Sequence, residues 1–205
     1  MTIIKPLPLI TFVAITPTFC IAAPVDDFFA ISAYLGGRFS GDFEDKDTGK
    51  KANISNDFAQ ALALTWHYGH NTEGEIFYSH SKPKITMPEK SVSTDVTISY
   101  LHFGGRINFM NKNSFSTSLG LGVGATFFVV DEKQYDNDTA LSASITGGMR
   151  YELNNSWALR ADLRVYGTVM QNNSSLFCNN NECLIQFSGD VYLQTELMAG
   201  IEYKF

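Results

Sequence analysis

The sequence predicts an all-β fold, an eight-stranded antiparallel up-and-down transmembrane β-barrel. Three observations predict it. Apolar residues recur with a period of two in eight separate segments. The face opposite them carries glycine, serine and charge, and the connections between segments alternate long and short.

The first strand is expected over Phe29–Phe39, with Phe29, Ile31, Ala33, Leu35, Gly37 and Phe39 on one face and Tyr34, Gly36 and Arg38 among those on the other. The second, Phe58–Tyr68, sets Phe58, Leu62, Leu64, Trp66 and Tyr68 against Ala59, Ala61, Ala63, Thr65 and His67. In the third, Glu73–Ser81, Ile76 and Tyr78 oppose Glu75, Phe77 and Ser79. The fourth, Thr94–Ile107, is read with Val96, Ile98 and Tyr100 on the apolar outer face and Asp95, Thr97 and Ser99 inside. Its phase blurs at Leu101 and Phe103, where a bulge or a change of environment is expected.

The fifth strand, Ser114–Val130, has Phe115, Leu119, Leu121, Val123, Phe127 and Val129 on one face and Gly120, Gly122 and Gly124 on the other. Followed by neither lysine nor a capped helix, these glycines lack what a phosphate loop needs. They leave room inside, which Arg150, Arg160 and Arg164 are expected to fill. The sixth strand, Leu141–Leu153, and the seventh, Trp157–Val169, both place their charges opposite their leucines. The eighth, Val191–Phe205, sets Leu193, Leu197, Ile201, Tyr203 and Phe205 against Glu196, Glu202 and Lys204.

Four connections are long (Ser40–Asn56, Lys82–Ser93, Asp131–Thr139 and Gln171–Cys183) and three are shorter (Gly69–Thr72, Asn108–Asn113 and Asn154–Ser156). A meander with its loops at one end and its turns at the other produces this rhythm. A soluble barrel would hold its large apolar side chains inside and its charges outside; here the polarity is inverted, as lipid requires. A closed antiparallel barrel also pairs every backbone N–H and C=O without water and leaves no edge.

Eight strands enclose a lumen that side chains can fill. On this phase the inward charges are Arg38, Glu75, Asp95, Arg150, Glu152, Arg160, Asp162, Arg164, Glu196, Glu202 and Lys204, five positive and six negative. A buried charge without a partner costs several kcal/mol, so the near balance predicts mutual ion pairing. A gated ion path is the competing use of such a set. Trp66, Tyr68, Tyr151, Trp157, Tyr203 and Phe205 cluster near the short turns, where rings favour the headgroup level.

Composition narrows the function. The 205 residues are 44% hydrophobic and 13% aromatic, only 18% are charged, and the formal net charge is −6. No basic face exists for nucleic acid. Residues 1–22 begin with one positive charge at Lys5, continue through an apolar run broken by Pro6, Pro8 and Pro17, and end Cys20-Ile21-Ala22; a secretory signal peptide is expected there, with the barrel domain over 23–205. Phe19 before Cys20 argues against a lipid anchor. In an exported chain the remaining pair, Cys178 and Cys183, predicts one disulfide, which would close a short loop and contribute about 2 kcal/mol. Two thiolates alone do not complete a zinc site.

The ending Gly-Ile-Glu-Tyr-Lys-Phe, with Ile201, Tyr203 and Phe205 at alternating positions, resembles the C-terminal signal read by the barrel-assembly machinery of Gram-negative bacteria. Together with the leader, the eight strands and the loop rhythm, the chain resembles the small outer-membrane β-barrel proteins of the OmpA/OmpX type. It resembles in particular a branch in which a cysteine pair staples the last outer loop. The resemblance implies an integral outer-membrane location, extracellular loops, periplasmic termini, contact with membrane lipid and lipopolysaccharide, and a monomer. No cofactor or metal comes with it, and no common catalytic residue.

The expected function is therefore a non-enzymatic envelope protein acting through its loops, with a narrow channel and a lipid A-modifying enzyme as alternatives. For an enzyme the candidates are Ser79, His80 and Ser81 with Glu89 near in sequence, but their spacing differs from the His-x-Ser of lipid A deacylases. The first loop, with Asp42, Glu44, Asp45, Lys46, Asp47, Lys50 and Lys51, matches no calcium loop. The triplets at Asn53, Asn137, Asn154 and Asn173 are N-glycosylation acceptors that a bacterial location makes ordinary polar loops.

Overall fold

A computed structural model describes residues 29–40, 43–44, 51–69, 71–87, 92–112, 114–130, 137–170, 175–179, 182–186 and 191–205. The leader 1–22, Glu89 and residues 41–42 and 45–50 of the first long connection lie outside the described residues.

In chain order the strands are β1 (Phe29–Ser40), β2 (Phe43–Glu44), β3 (Lys51–Ile54), β4 (Asp57–Gly69), β5 (Thr72–Ser81), β6 (Lys84–Met87), β7 (Val92–Lys112), β8 (Phe115–Val130), β9 (Asp138–Glu152), β10 (Trp157–Val169), β11 (Ser175–Asn179), β12 (Glu182–Gln186) and β13 (Val191–Lys204). Eight of them, β1, β4, β5, β7, β8, β9, β10 and β13, pair antiparallel with their neighbours around a ring. β1 joins β13, and β7–β8 completes the closure. The barrel is closed, with no free edge among these eight, which is how a sheet satisfies its backbone in lipid. Among the described residues no helix is long and apolar enough to cross a membrane.

The eight expected strands match these eight to within a few residues at their ends. Four of the five short strands fall in connections read as loops, and β12 starts in the last of them and runs past its expected end at Cys183. β3, β6 and the first residues of β7 continue the sheet beyond the barrel wall, with β2 on their edge, and β11–β12 is a separate hairpin.

Length sets the span. The 13 residues of β4 at ~3.3 Å each, tilted by ~40°, rise roughly 33 Å, enough for an apolar band of ~25 Å. β7 has 21 residues and outruns that band at the loop end. Side chains alternate strictly: β10 runs exposed, buried, exposed, buried for almost its whole length. Leu121 is 65% exposed and Leu141 76%, while Arg38, Arg106 and Arg164 are each 1% exposed. Charge is inside and leucine outside.

Two expectations about the fourth barrel strand fail. Asp95 does not face the lumen; it is exposed, while its neighbour Val96 is buried, and Ile98, Tyr100, His102 and Arg106 follow Val96 inward. Of the bulge or change of environment expected at Leu101 and Phe103, the bulge is absent, since β7 pairs with β8 without interruption from Val96 to Phe109. The inward face of this strand changes from apolar to polar at constant parity, and the polarity change mimicked a change of phase. The register shifts that do occur lie at the short turns, between His67 and Gly69 and between Phe109 and Lys112.

Candidate functional site

The site is the barrel interior. β5 and β10 stand opposite each other on the eight-membered ring, as do β7 and β13. Small inward residues make the space between them. Gly200 lies under the Tyr34 ring, which a Cβ there would meet at 2.6 Å, and Gly148 lies against Asp162 and Arg106 at 2.5 and 2.9 Å.

At the turn end, Lys204 donates to Glu152 at 2.8 Å and Arg150 donates to Glu152 at 2.8 Å and to Glu202 at 2.7 Å. Arg160 donates to the other Glu202 oxygen at 2.5 Å and lies 3.6 Å from Glu73 across the lumen. Glu73 in turn accepts from Asn108 at 2.7 Å and lies 3.3 Å from His67.

One level deeper, Arg106 on β7 binds two carboxylates. Its Nε donates to Glu75 at 2.7 Å, and its two terminal nitrogens reach Asp162 at 3.1 and 2.7 Å. The fork geometry of guanidinium suits this bidentate contact. Arg164 on β10 reaches across to Glu75 at 2.6 Å, and its guanidinium carbon sits 3.6 Å above the Phe77 ring. Every carboxylate here thus meets at least one guanidinium.

Nearer the loop end, Arg38 donates to Ser81 at 2.7 Å, Ser79 at 2.6 Å and the Ile98 carbonyl at 2.9 Å, and pairs with Glu196 at 3.3 Å. Glu196 also accepts from Ser79 at 2.6 Å and from the Tyr166 hydroxyl. The Tyr100 and Tyr166 rings stack at 3.9 Å, and Tyr100 donates to Gln194 on the opposite strand at 2.5 Å. His102 lies between Ser144 at 2.9 Å and Ser142 at 2.8 Å.

Arg38, Glu75, Arg150, Glu152, Arg160, Asp162, Arg164, Glu196, Glu202 and Lys204 therefore all meet partners within this interior; Asp95 does not join them. Sequence reading missed Arg106, Glu73 and His102. Glu73 shares the parity of Glu75 and was legible; Arg106 and His102 were hidden by the inverted phase of their strand. With them counted, Arg38, Arg106, Arg150, Arg160, Arg164 and Lys204 face Glu73, Glu75, Glu152, Asp162, Glu196 and Glu202, six against six among the described residues.

The room left by the β8 glycines is filled otherwise than expected. Arg106 lies over Gly120, and His102 with Ser144 lies over Gly122. At Gly124 a Cβ would come within 1.9 Å of the Leu101 carbonyl oxygen. Arg150, Arg160 and Arg164 are engaged with carboxylates elsewhere, because the glycines adjoin β7 in register.

Ser79 and Ser81 point inward onto Arg38, whereas His80 points to the other face, with Nδ1 3.1 Å from Ser99 Oγ. Alternation along the strand separates the histidine from its sequence neighbours. No cluster of three or more metal-ligating side chains occurs among the described residues.

On the outer wall, the rings of Trp157, Tyr203, Phe205 and Phe29 form a chain, with centroids 4.8, 6.3 and 6.3 Å apart, and Phe205 exchanges backbone bonds with Phe29. Ile201, Tyr203 and Phe205 all lie exposed on this face. Cys178 and Cys183 are direct partners in the β11–β12 register.

Comparison with known proteins agrees with this geometry. Residues 11–205 match the family described as outer membrane protein beta-barrel domain. No curated protein sequence matches. Among solved structures, the outer membrane protein AlkL in lipid bilayers is similar with a TM-score of 0.62 and 15% identity, over 93% of this chain and 96% of that one. Neisserial surface protein A aligns with a TM-score of 0.60 and 15% identity, over 87% and 97%. OprG from Pseudomonas aeruginosa aligns with a TM-score of 0.56 and 14% identity, over 87% and 95%.

Proposed function

We propose, from the premise that this chain belongs to the outer membrane protein β-barrel domain family, that it is a non-enzymatic integral outer-membrane protein whose lumen is closed by its own side chains and whose loops act at the cell surface. One observation carries the closure: bonds run the full width of the lumen, from Arg164 to Glu75, Arg160 toward Glu73, and Tyr100 to Gln194. An ion or solute would have to break several charge-assisted bonds at once. Such a network is worth more as a unit than its pairs taken singly.

With the core so occupied, variation is left to the loops. Their base is stiffened by the sheet extension β3–β6–β7 and, in the last connection, by a disulfide between Cys178 and Cys183. Directly opposed antiparallel residues have Cα atoms ~4.5–5.5 Å apart, inside the ~4.4–6.8 Å a disulfide spans. The orientation follows the family pattern, with short turns and both termini periplasmic and the long connections outside. Residues 1–22 would direct export, and Ile201, Tyr203 and Phe205 would be read by the assembly machinery. Lipid and lipopolysaccharide surround the monomer.

Swelling of vesicles carrying the purified protein tests the closure. No swelling in small sugars or amino acids beyond empty vesicles is expected, and measurable uptake would favour the channel reading. Lipid A mass spectra from cells with and without the protein should be identical; a changed acyl or phosphate pattern would make it an enzyme.

A further inference from the structure

The inward face mixes charged side chains with Tyr34, Phe77 and Met198 through most of the barrel, and on β7, β8 and β13 it turns apolar toward the loops. At the loop end, Val96, Ile98, Phe128, Met170 and Tyr192 all point inward and are buried, none more than 5% exposed. They come from β7, β8, β13 and the residue that follows β10, four of the eight strands of the ring, on the side flanking β9. Inward-facing Ala140 on β9 packs against them. Thr126 and Thr168, bonded at 3.0 Å, and the Tyr100–Tyr166 stack come next toward the turns along β7, β8 and β10, and Arg38, paired with Glu196, reaches up to the Ile98 carbonyl at 2.9 Å.

The two ends of the core are unlike. At the turn end the side chains of Glu152, Lys204 and Arg150 are 42%, 16% and 13% exposed, so water reaches the first ion pairs. At the loop end Arg38 and Glu196 are 1% and 0% exposed. A polar network alone does not stay dry, because water can bridge its members; a narrow apolar ring resists wetting.

We propose that Val96, Ile98, Phe128, Met170 and Tyr192 form an apolar collar that seals the charge network from water on the loop side. The collar acts in series with the side-chain closure proposed above and rests on that reading. It makes the lumen one-sided, hydrated from the turn end and dry beneath the loops. The Arg38–Glu196–Tyr166 cluster then sits in low dielectric, where its bonds are electrostatically strongest.

The test places a thiol under the collar. In protein with its three cysteines replaced by serine, Thr168→Cys is refolded in detergent and treated with a small, charged, water-soluble thiol reagent. Two collar backgrounds are compared, native and Phe128→Ala with Met170→Ala, with Phe128→Leu and Met170→Leu as the apolar control. Heat-modifiable gel migration verifies folding in each. Slow labelling is expected with the native and leucine collars and labelling about tenfold faster or more with the alanine collar, because the apolar constriction is opened. Equal rates in all three, fast or slow, would overturn the collar. Vesicle swelling by the unaltered protein would instead overturn the side-chain closure, so the two failures are distinguishable.

Discussion

Replacing Arg106 by methionine should be among the most damaging single changes in the barrel. Arg106 is 1% exposed, holds Asp162 bidentately at 2.7 and 3.1 Å and binds Glu75 at 2.7 Å. Methionine retains the unbranched stem over Gly120, so the packing loss is small and the electrostatic loss dominates. Glu75 keeps Arg164 at 2.6 Å, but Asp162 has Arg106 as its ion-pair partner and would be left buried without it. Removing one member of a buried pair costs about 3–5 kcal/mol. Arg106→Met combined with Asp162→Leu restores the balance of interior charge and should recover roughly 1–3 kcal/mol of that loss. Urea unfolding in lipid vesicles, followed by tryptophan fluorescence and gel migration, measures both. A single-variant cost under about 1 kcal/mol, as for an exposed pair, would refute the argument. So would a double variant as unstable as the sum of its two single changes.

Asp95→Asn, by contrast, should change stability by no more than about 0.5 kcal/mol in the same assay, since Asp95 is exposed outside the lumen. Leu121→Arg, on the outer wall, should cost about 2–4 kcal/mol in a bilayer if that position lies near mid-depth, and much less in a loosely packed detergent micelle. Gly124→Ala puts a Cβ 1.9 Å from the Leu101 carbonyl oxygen and should cost about 1–3 kcal/mol, whereas Gly147→Ala meets nothing within 4 Å and should be neutral. In a Trp157→Phe background, Gly74→Val should shift the emission of Trp66, whose indole covers Gly74 so closely that a Cβ would fall 2.2 Å from it. An unchanged spectrum would contradict that packing.

How far the sequence carried this reading depends on position. Where one face is free of charge and mostly apolar and the other holds the charges, as in β10 and β13, alternation gave strand, parity and inward residues together. In β7 the same rule misassigned the faces, because inward Val96, Ile98 and Tyr100 are as apolar as any lipid-facing triplet. Reading them as outward moved Asp95 inside and hid Arg106, the change of face that follows from a one-residue slip. The near balance of charge was legible from composition by face. The partners were not, because the contacts of Arg164 with Glu75 and of Tyr100 with Gln194 depend on which strands stand opposite once the ring closes. The short strands of the connections were missed for a different reason: at two to five residues they are too brief for a period of two to register.

The most direct measurement of the central claim is the current through single copies of the unaltered protein in a planar bilayer. The cross-lumen network predicts a silent membrane, indistinguishable from lipid alone across the voltages it withstands. Reproducible steps of ohmic current, abolished when Arg160 or Arg164 is replaced, would contradict it and make the charged interior a conducting path.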